Sequence, residues 1–269
     1  MPDVYTHGHH ASVIRSHTWR TAQNSAAYLL PELRSGQSLL DVGCGPGTIT
    51  LDFSALVAPG RVVGIDASSS VIAQAEAARA LAQVTNARFE QGDLYKLAFD
   101  DASFDVVHAH QVLQHLADPV AALRELKRVL RPGGVLGVRD SDCAAFAWAP
   151  ADPLLDRWAQ LYQQVTRRNH AEPNAGRYLL GWVQAAGFVD IQPSSSTWTY
   201  ATDELRAWWG DLWAERSLES SFATQAIEYG FADRAELQAV SDAWRRWSRE
   251  PAGYIMIPHG EILAKAPKL

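Results

Sequence analysis

Gly43, Gly45 and Gly47 stand on alternate positions after a short apolar run at 38–42, and Pro46 leads from them into a helical pattern. A strand that breaks into glycines and enters a helix brings bare backbone amides close to a ligand. Asp41 sits at the end of that strand, where a pyrophosphate would be repelled. The dinucleotide fingerprint needs its third glycine three positions after the second. That position is Thr48, and the glycine falls one residue early. Both features count against a nicotinamide oxidoreductase. A carboxylate beside such a loop suits a ligand with cationic or hydroxyl groups and no phosphate. S-adenosylmethionine (SAM) is such a ligand, with an ammonium at its methionine end and a sulfonium at its centre.

Further groups follow at the ends of later runs. Asp66 closes an apolar run at 61–66, about twenty residues beyond the glycines, where open α/β sheets place a carboxylate for ribose hydroxyls. Its bland alternative, capping the next helix, is better served by the serines at 68–70. Asp93 follows a third run at 87–91, within Gly92-Asp93-Leu94. His110 sits at the carboxyl end of a fourth run at 103–109, and His115 comes shortly after it. Imidazole titrates near neutrality, so His110 and His115 are the candidate general bases. Asp142, past a fifth run at 135–139, is a weaker one.

The elements that must position these groups alternate between periods of two and 3.6. Helices are expected at 16–33, 49–57, 71–84, 120–131, 152–168 and 178–186, the fourth begun by Asp118 and Pro119 and the last closed by Gly187. A sixth strand is expected in two parts, at 188–192 and 195–200, and a returning one at 261–266. Between them two or more helices carry Trp208, Trp209, Trp213, Trp244 and Trp247, and Asp233 with Glu236 reads as a capping pair. Each tryptophan is more readily a packing residue than a pocket wall, but the layer as a whole leaves the sheet near the ligand rim.

The wording L-L-D-V-G-C-G-P-G at 39–47 resembles the first motif of the class I SAM-dependent methyltransferases. The Gly92-Asp93 pair, the F-D-V-V run continued by V-L-Q-H-L, and L-R-E-L-K-R-V-L-R-P-G-G-V-L at 123–136 resemble later motifs of the same family. The resemblance is firm over about 36–140 and looser beyond. It implies an α/β fold: a Rossmann-like, seven-stranded, mostly parallel sheet with an antiparallel last strand, helices on both faces and a helical lid. It implies one methyltransferase domain over 1–269, with its core at about 36–140, 173–200 and 258–267, an N-terminal cap at 1–35, and insertions at about 141–172 and 201–257. It also implies that SAM lies on Asp41, Gly43, Gly45, Gly47, Asp66, Ala67, Gly92, Asp93, Leu94 and His110. Asp66 then takes the ribose hydroxyls and Asp93 the adenine amino group. An arginine of the cap, Arg20, would reach the methionine carboxylate; a solvated arginine is the alternative.

The expected function is methyl transfer from SAM to a small-molecule acceptor at oxygen, nitrogen or carbon. The alternatives are a quinone or lipid-like ring C-methyltransferase and a non-catalytic SAM-binding module. A chain of 269 residues, 47% hydrophobic, has ample material for a core. Its net charge of −6 argues against a nucleic-acid partner. Cys44 and Cys143 suggest no disulfide framework. No run is long enough to span a membrane, and 1–15 lacks an apolar signal core, so a cytoplasmic protein is expected. His7, His9 and His10 form too sparse a set for a metal site, and none is expected. The tryptophan-rich layer also has the composition of a homo-oligomer contact.

Overall fold

The computed structural model describes residues 5, 6, 8 and 10–268. Its first five strands are β1 (Leu39–Val42), β2 (Val62–Asp66), β3 (Ala87–Gln91), β4 (Phe104–His110) and β5 (Leu130–Ser141). Three more follow: β6 (Ala147–Ala149), β7 (Val189–Tyr200) and β8 (Tyr254–Lys265). The strands order as β3-β2-β1-β4-β5-β8, and β6 and β7 both pair with β8. Neighbours among β1 to β5 are parallel, whereas β8 runs antiparallel to β5, β6 and β7. The chain reverses its direction across the sheet between β1 and β4, so the crevice at the carboxyl ends of these strands is the natural place for a ligand.

Among the described residues ten helices surround the sheet: α1 (Ala11–Thr18), α2 (Ala22–Ser25), α3 (Thr48–Val57), α4 (Ser69–Leu81), α5 (Pro119–Val129), α6 (Pro153–Arg168), α7 (Leu179–Ala185), α8 (Asp203–Glu219), α9 (Ser221–Glu228) and α10 (Arg234–Trp247). Their starts follow capping chemistry. Ser68 accepts from the Val71 amide ahead of α4, and Asp118 accepts from that of Ala121 with Pro119 in the first turn of α5. The core strands are buried runs: all four residues of β1 are buried, and Leu40, Val63, Val107 and Leu136 join the helices in one apolar cluster.

Four expectations need correction. The single helix at 16–33 is broken into α1, α2 and a 3-10 turn at Leu30–Glu32. Thr21 is extended and forms a reciprocal capping box with Asn24, which restarts the helix. β7 runs unbroken through Pro193, which an edge strand tolerates because its missing N–H faces no partner. β8 begins seven residues earlier than 261, and β6 was not foreseen. Asp233 does cap α10 through the Glu236 amide, but the Glu236 carboxylate turns to Arg157 at 2.7 Å instead of closing the box.

α6 and α8 to α10 build a second apolar cluster. Trp158 is its centre, with ring centroids 4.6 Å from Trp213 and 4.8 Å from Trp244, both edge-to-face. Trp244 and Trp247 are packing residues within it, as the bland reading expects. No described helix is long and apolar enough to cross a membrane.

Candidate active site

The carboxyl ends of the central strands open into a cavity of about 1120 Å³. Its walls include Arg20, Asp41, Gly43, Gly45, Asp66, Ala67, Gly92, Asp93, Leu94, His110 and His115. Gly47 is the one expected cofactor-binding residue that does not line it.

The glycine loop explains the difference. Gly43 and Gly45 have φ of +61° and +56°, a region that suits glycine. A Cβ on Gly43 would sit 2.3 Å from Val112 Cγ2, so this backbone is pressed against the loop after β4. Gly47 has φ +85° and caps α3, and a Cβ there would sit 2.6 Å from the Phe89 ring. Its role is close packing of α3 on β3. Gly47→Ala is therefore expected to cost about 1–3 kcal/mol of stability through backbone strain and crowding. A denaturant midpoint unchanged from wild type would contradict this.

Asp66 is pinned at the end of β2. Its Oδ2 accepts the Gly45 amide at 3.1 Å and its Oδ1 the Ser68 amide at 2.9 Å. A carboxylate has about four acceptor sites, so two remain for a ligand. Asp93 accepts the Tyr95 amide at 2.9 Å and keeps its turn in place. Asp41 departs from expectation. Although it lines the cavity, its Oδ1 lies 2.7 Å from His108 Nδ1 and its Oδ2 accepts from Thr50 Oγ1 at 2.5 Å. The pair is buried, so Asp41 serves first as a partner inside the fold and not as an open ligand group.

Arg20 approaches from the cap. Its Nη2 donates to Gln111 Oε1 at 2.5 Å and its guanidinium lies 5.7 Å from the Trp198 ring centroid. Gln111 Nε2 then donates to His259 Nε2 at 2.8 Å, which leaves the other His259 nitrogen protonated and the ring neutral. On β5, Arg139 pairs with Glu261 at 3.1 Å and faces Trp198 at 4.8 Å.

Both candidate bases line the cavity. His110 is buried, with Arg139 Nη1 at 3.5 Å from its Nδ1, and its Nε2 has no partner among the described residues. Burial, then Arg139 and Arg20, hold its pKa well below the usual imidazole value. His115 lies on the 3-10 turn Leu113–His115, 3.1 Å from Gln114 Nε2 and edge-on to Tyr5. Burial, then Arg20, bring its pKa down to about 3. Beneath that turn, Asp140 accepts the Gln114 amide at 3.2 Å, and burial pushes its carboxyl up to about 8. Asp142 leaves the list of bases, since Arg177 clamps both of its oxygens at 2.5 Å and it does not line the cavity.

These shifts predict acid lability. Below about 6.5 the unfolded chain binds protons at His110, His115 and His259, which the fold keeps neutral far lower. Stability therefore falls as pH drops through that window. Asp140 acts in the opposite sense, because the fold holds its proton up to about 8 and so gains as pH falls. Three imidazoles outweigh one carboxyl. The urea midpoint is expected to fall steadily from about pH 6.5 to 4.5, by roughly 1–3 kcal/mol per pH unit. A flat or rising midpoint would mean that these imidazoles are charged in the fold.

Sequence reasoning missed several walls. Trp198 and Tyr200 stand on β7, and Trp158 and Tyr162 on α6. Alternation along an edge strand carries no mark of a pocket. Arg216, on α8, lay unnoticed in a helix read as packing. Trp209 and Trp213 line the cavity, whereas Trp208 does not. His7 and His9 lie outside the described residues; His10 caps α1, with Glu215 and Glu219 at 3.7 and 3.6 Å.

An open parallel sheet with this antiparallel return, a glycine loop after β1 and acids closing β2 and β3 defines the methyltransferase class. Residues 33–199 match the family described as a methyltransferase domain. An uncharacterised methyltransferase of Schizosaccharomyces pombe is 35% identical, the match spanning 97% of this chain and 96% of the relative. In fold, the chain is similar to the YcgJ protein of Bacillus subtilis, with TM-score 0.61 and 21% identity over 92% of this chain and all of the other. It is also similar to a Haemonchus contortus phosphoethanolamine N-methyltransferase solved with SAM, with TM-score 0.56 and 17% identity over 90% of this chain and 52% of the other. The chain belongs to the class I SAM-dependent methyltransferases. It is an enzyme of methyl transfer, and SAM is its cofactor. The cavity fits that molecule: Asp66 keeps acceptor sites for hydroxyls, and a side chain at Gly43 would strike Val112.

Proposed function

We propose that the enzyme methylates a small, ring-bearing acceptor held at the aromatic end of its cavity. One observation supports this most. The cavity walled by the glycine loop, Asp66 and Asp93 is also walled by Trp158, Trp209 and Trp213. Cofactor and acceptor then share one chamber, and its aromatic walls suit a flat apolar body.

In this reading Asp66 accepts from the ribose hydroxyls and Asp93 from the adenine amino group. Gly43, Gly45, Ala67, Gly92 and Leu94 supply close backbone and apolar walls, and Arg20 holds the methionine carboxylate. When bound, SAM supplies a methyl carbon made electrophilic by its sulfonium. The protein aligns the acceptor with it and keeps water out; alignment alone lowers such barriers by about 7–11 kcal/mol. An acceptor hydroxyl must also lose a proton. His110 and His115 are the candidates for it in this reading; a base with its pKa near the working pH contributes about 10²–10⁴-fold, and burial beside arginines makes these two weaker bases than a free imidazole. At His110 the Arg139 guanidinium can only donate to Nδ1, so in the neutral ring Nε2 carries the proton and is a hydrogen-bond donor. A quinone or other lipid-like ring is the second reading, favoured by the same aromatic walls.

The test is transfer of labelled methyl from SAM across a panel of phenols, ring amines and quinone-type rings. Labelled product with release of S-adenosylhomocysteine supports the reading. Tight binding of S-adenosylhomocysteine with no labelled product from any class would return a binding module instead.

A further inference from the structure

Three arginines are buried among the described residues. Arg139 pairs with Glu261 and Arg206 with Asp203. Arg216 is different. It is 4% exposed and lines the cavity, yet no carboxylate among the described residues pairs with it. Its Nη2 donates to the Ser12 carbonyl at 3.1 Å and to Ser16 Oγ at 3.0 Å, and its guanidinium faces the Trp213 ring at 4.7 Å. Its Nε is buried and has no partner among the described residues. The charged groups that act on it, Arg20 and Arg15, have the same sign, and the phenols of Tyr5 and Tyr162 are neutral. Burial lowers its pKa only to about 10, so it stays cationic at neutral pH.

A buried guanidinium without a counter-charge is costly, and the cost is recovered when an anion arrives. Its planar fork matches a carboxylate in particular. On the proposed reading the cofactor does not meet this need, because its one carboxylate goes to Arg20, and none of the cavity acids Asp41, Asp66 and Asp93 pairs with Arg216. We infer that the acceptor is an anionic ring compound whose carboxylate is bound by Arg216 while its ring lies among Trp158, Trp209 and Trp213. This rests on the methyl-transfer reading and narrows its substrate class.

The alternative is that Arg216 only ties α8 to α1. The test reads a preference that a tie would not create. Benzoate, cinnamate and 2-naphthoate are titrated against the protein saturated with S-adenosylhomocysteine, each beside its neutral carboxamide, by ligand-observed NMR and calorimetry. Wild type is expected to favour the acids by about tenfold or more, and Arg216→Met to reduce the preference to within about twofold while still binding S-adenosylhomocysteine. Arg216→Lys, which keeps the charge but loses the fork, is expected to fall between. No acid preference in wild type, no binding of any acid by protein that binds S-adenosylhomocysteine, or a preference that survives in Arg216→Met would each overturn the inference. Failure of wild type to bind S-adenosylhomocysteine would instead overturn the methyl-transfer reading.

Discussion

Asp66→Ala is expected to weaken S-adenosylhomocysteine binding by about 3–4 kcal/mol, or two to three orders of magnitude. On the proposed reading the substitution removes two charge-assisted hydrogen bonds to the ribose, each of about 1.5–3 kcal/mol. The substitution also frees the Gly45 amide that Asp66 now holds at 3.1 Å, so the glycine loop loses a tether just where it must stay close to the ligand. Calorimetric titration of wild type and variant checks this. The Ser68 hydroxyl still caps α4, so the fold should survive and the loss should appear in affinity rather than in melting. An affinity within a factor of about three of wild type would show that the ribose lies elsewhere.

Asp41→Ala should act on stability instead. The carboxylate is buried and joins Thr50 of α3 to His108 of β4. Truncation leaves two polar groups in the core without their acceptor, and the imidazole is fixed edge-on against Phe53 at 5.0 Å, with little freedom to turn away. Breaking a buried pair of this kind costs about 3–5 kcal/mol. A urea unfolding series gives the number. Asp41→Asn, which keeps one acceptor, should recover part of it. If Asp41→Ala leaves the midpoint in place and lowers cofactor affinity alone, the carboxylate serves the ligand and not the core.

The contrast between these two aspartates marks how far the chain could be read by eye. Each closes an apolar run, and the strands were legible because such runs are bounded by acids and glycines. That the last strand returns antiparallel followed from the resemblance, whereas its place between β5 and β7 did not, since nothing local in 254–265 announces its neighbours. What separates Asp41 from Asp66 is His108, sixty-seven residues away on an adjacent strand. The sequence around each aspartate looks alike. Gly47 likewise cannot be told from Gly43 and Gly45 until Phe89 is seen beneath it. Arg216 shows the same limit: its significance lies in the carboxylate it lacks, and a missing partner has no local signature. The break at Trp19 to Thr21 was hidden because apolar residues continue on either side of it, and only the pairing of Thr21 with Asn24 reveals the restart.

The pairing of Tyr200 with Ile255 closes β7 and β8 like the neck of a hairpin. Everything from α8 to α10 is an excursion from that neck, leaving and re-entering the sheet at adjacent backbone positions. Such an excursion can be lengthened, shortened or replaced without shifting the register of a single strand, because its ends meet whatever its contents. Trp209, Trp213 and Arg216 belong to it, whereas the glycine loop, Asp66 and Asp93 belong to the sheet. The two halves of the chamber are thus free to change at different rates: on the proposed reading, the sheet holds a constant methyl donor while the excursion, together with Trp158 of α6, shapes the end that would receive the acceptor.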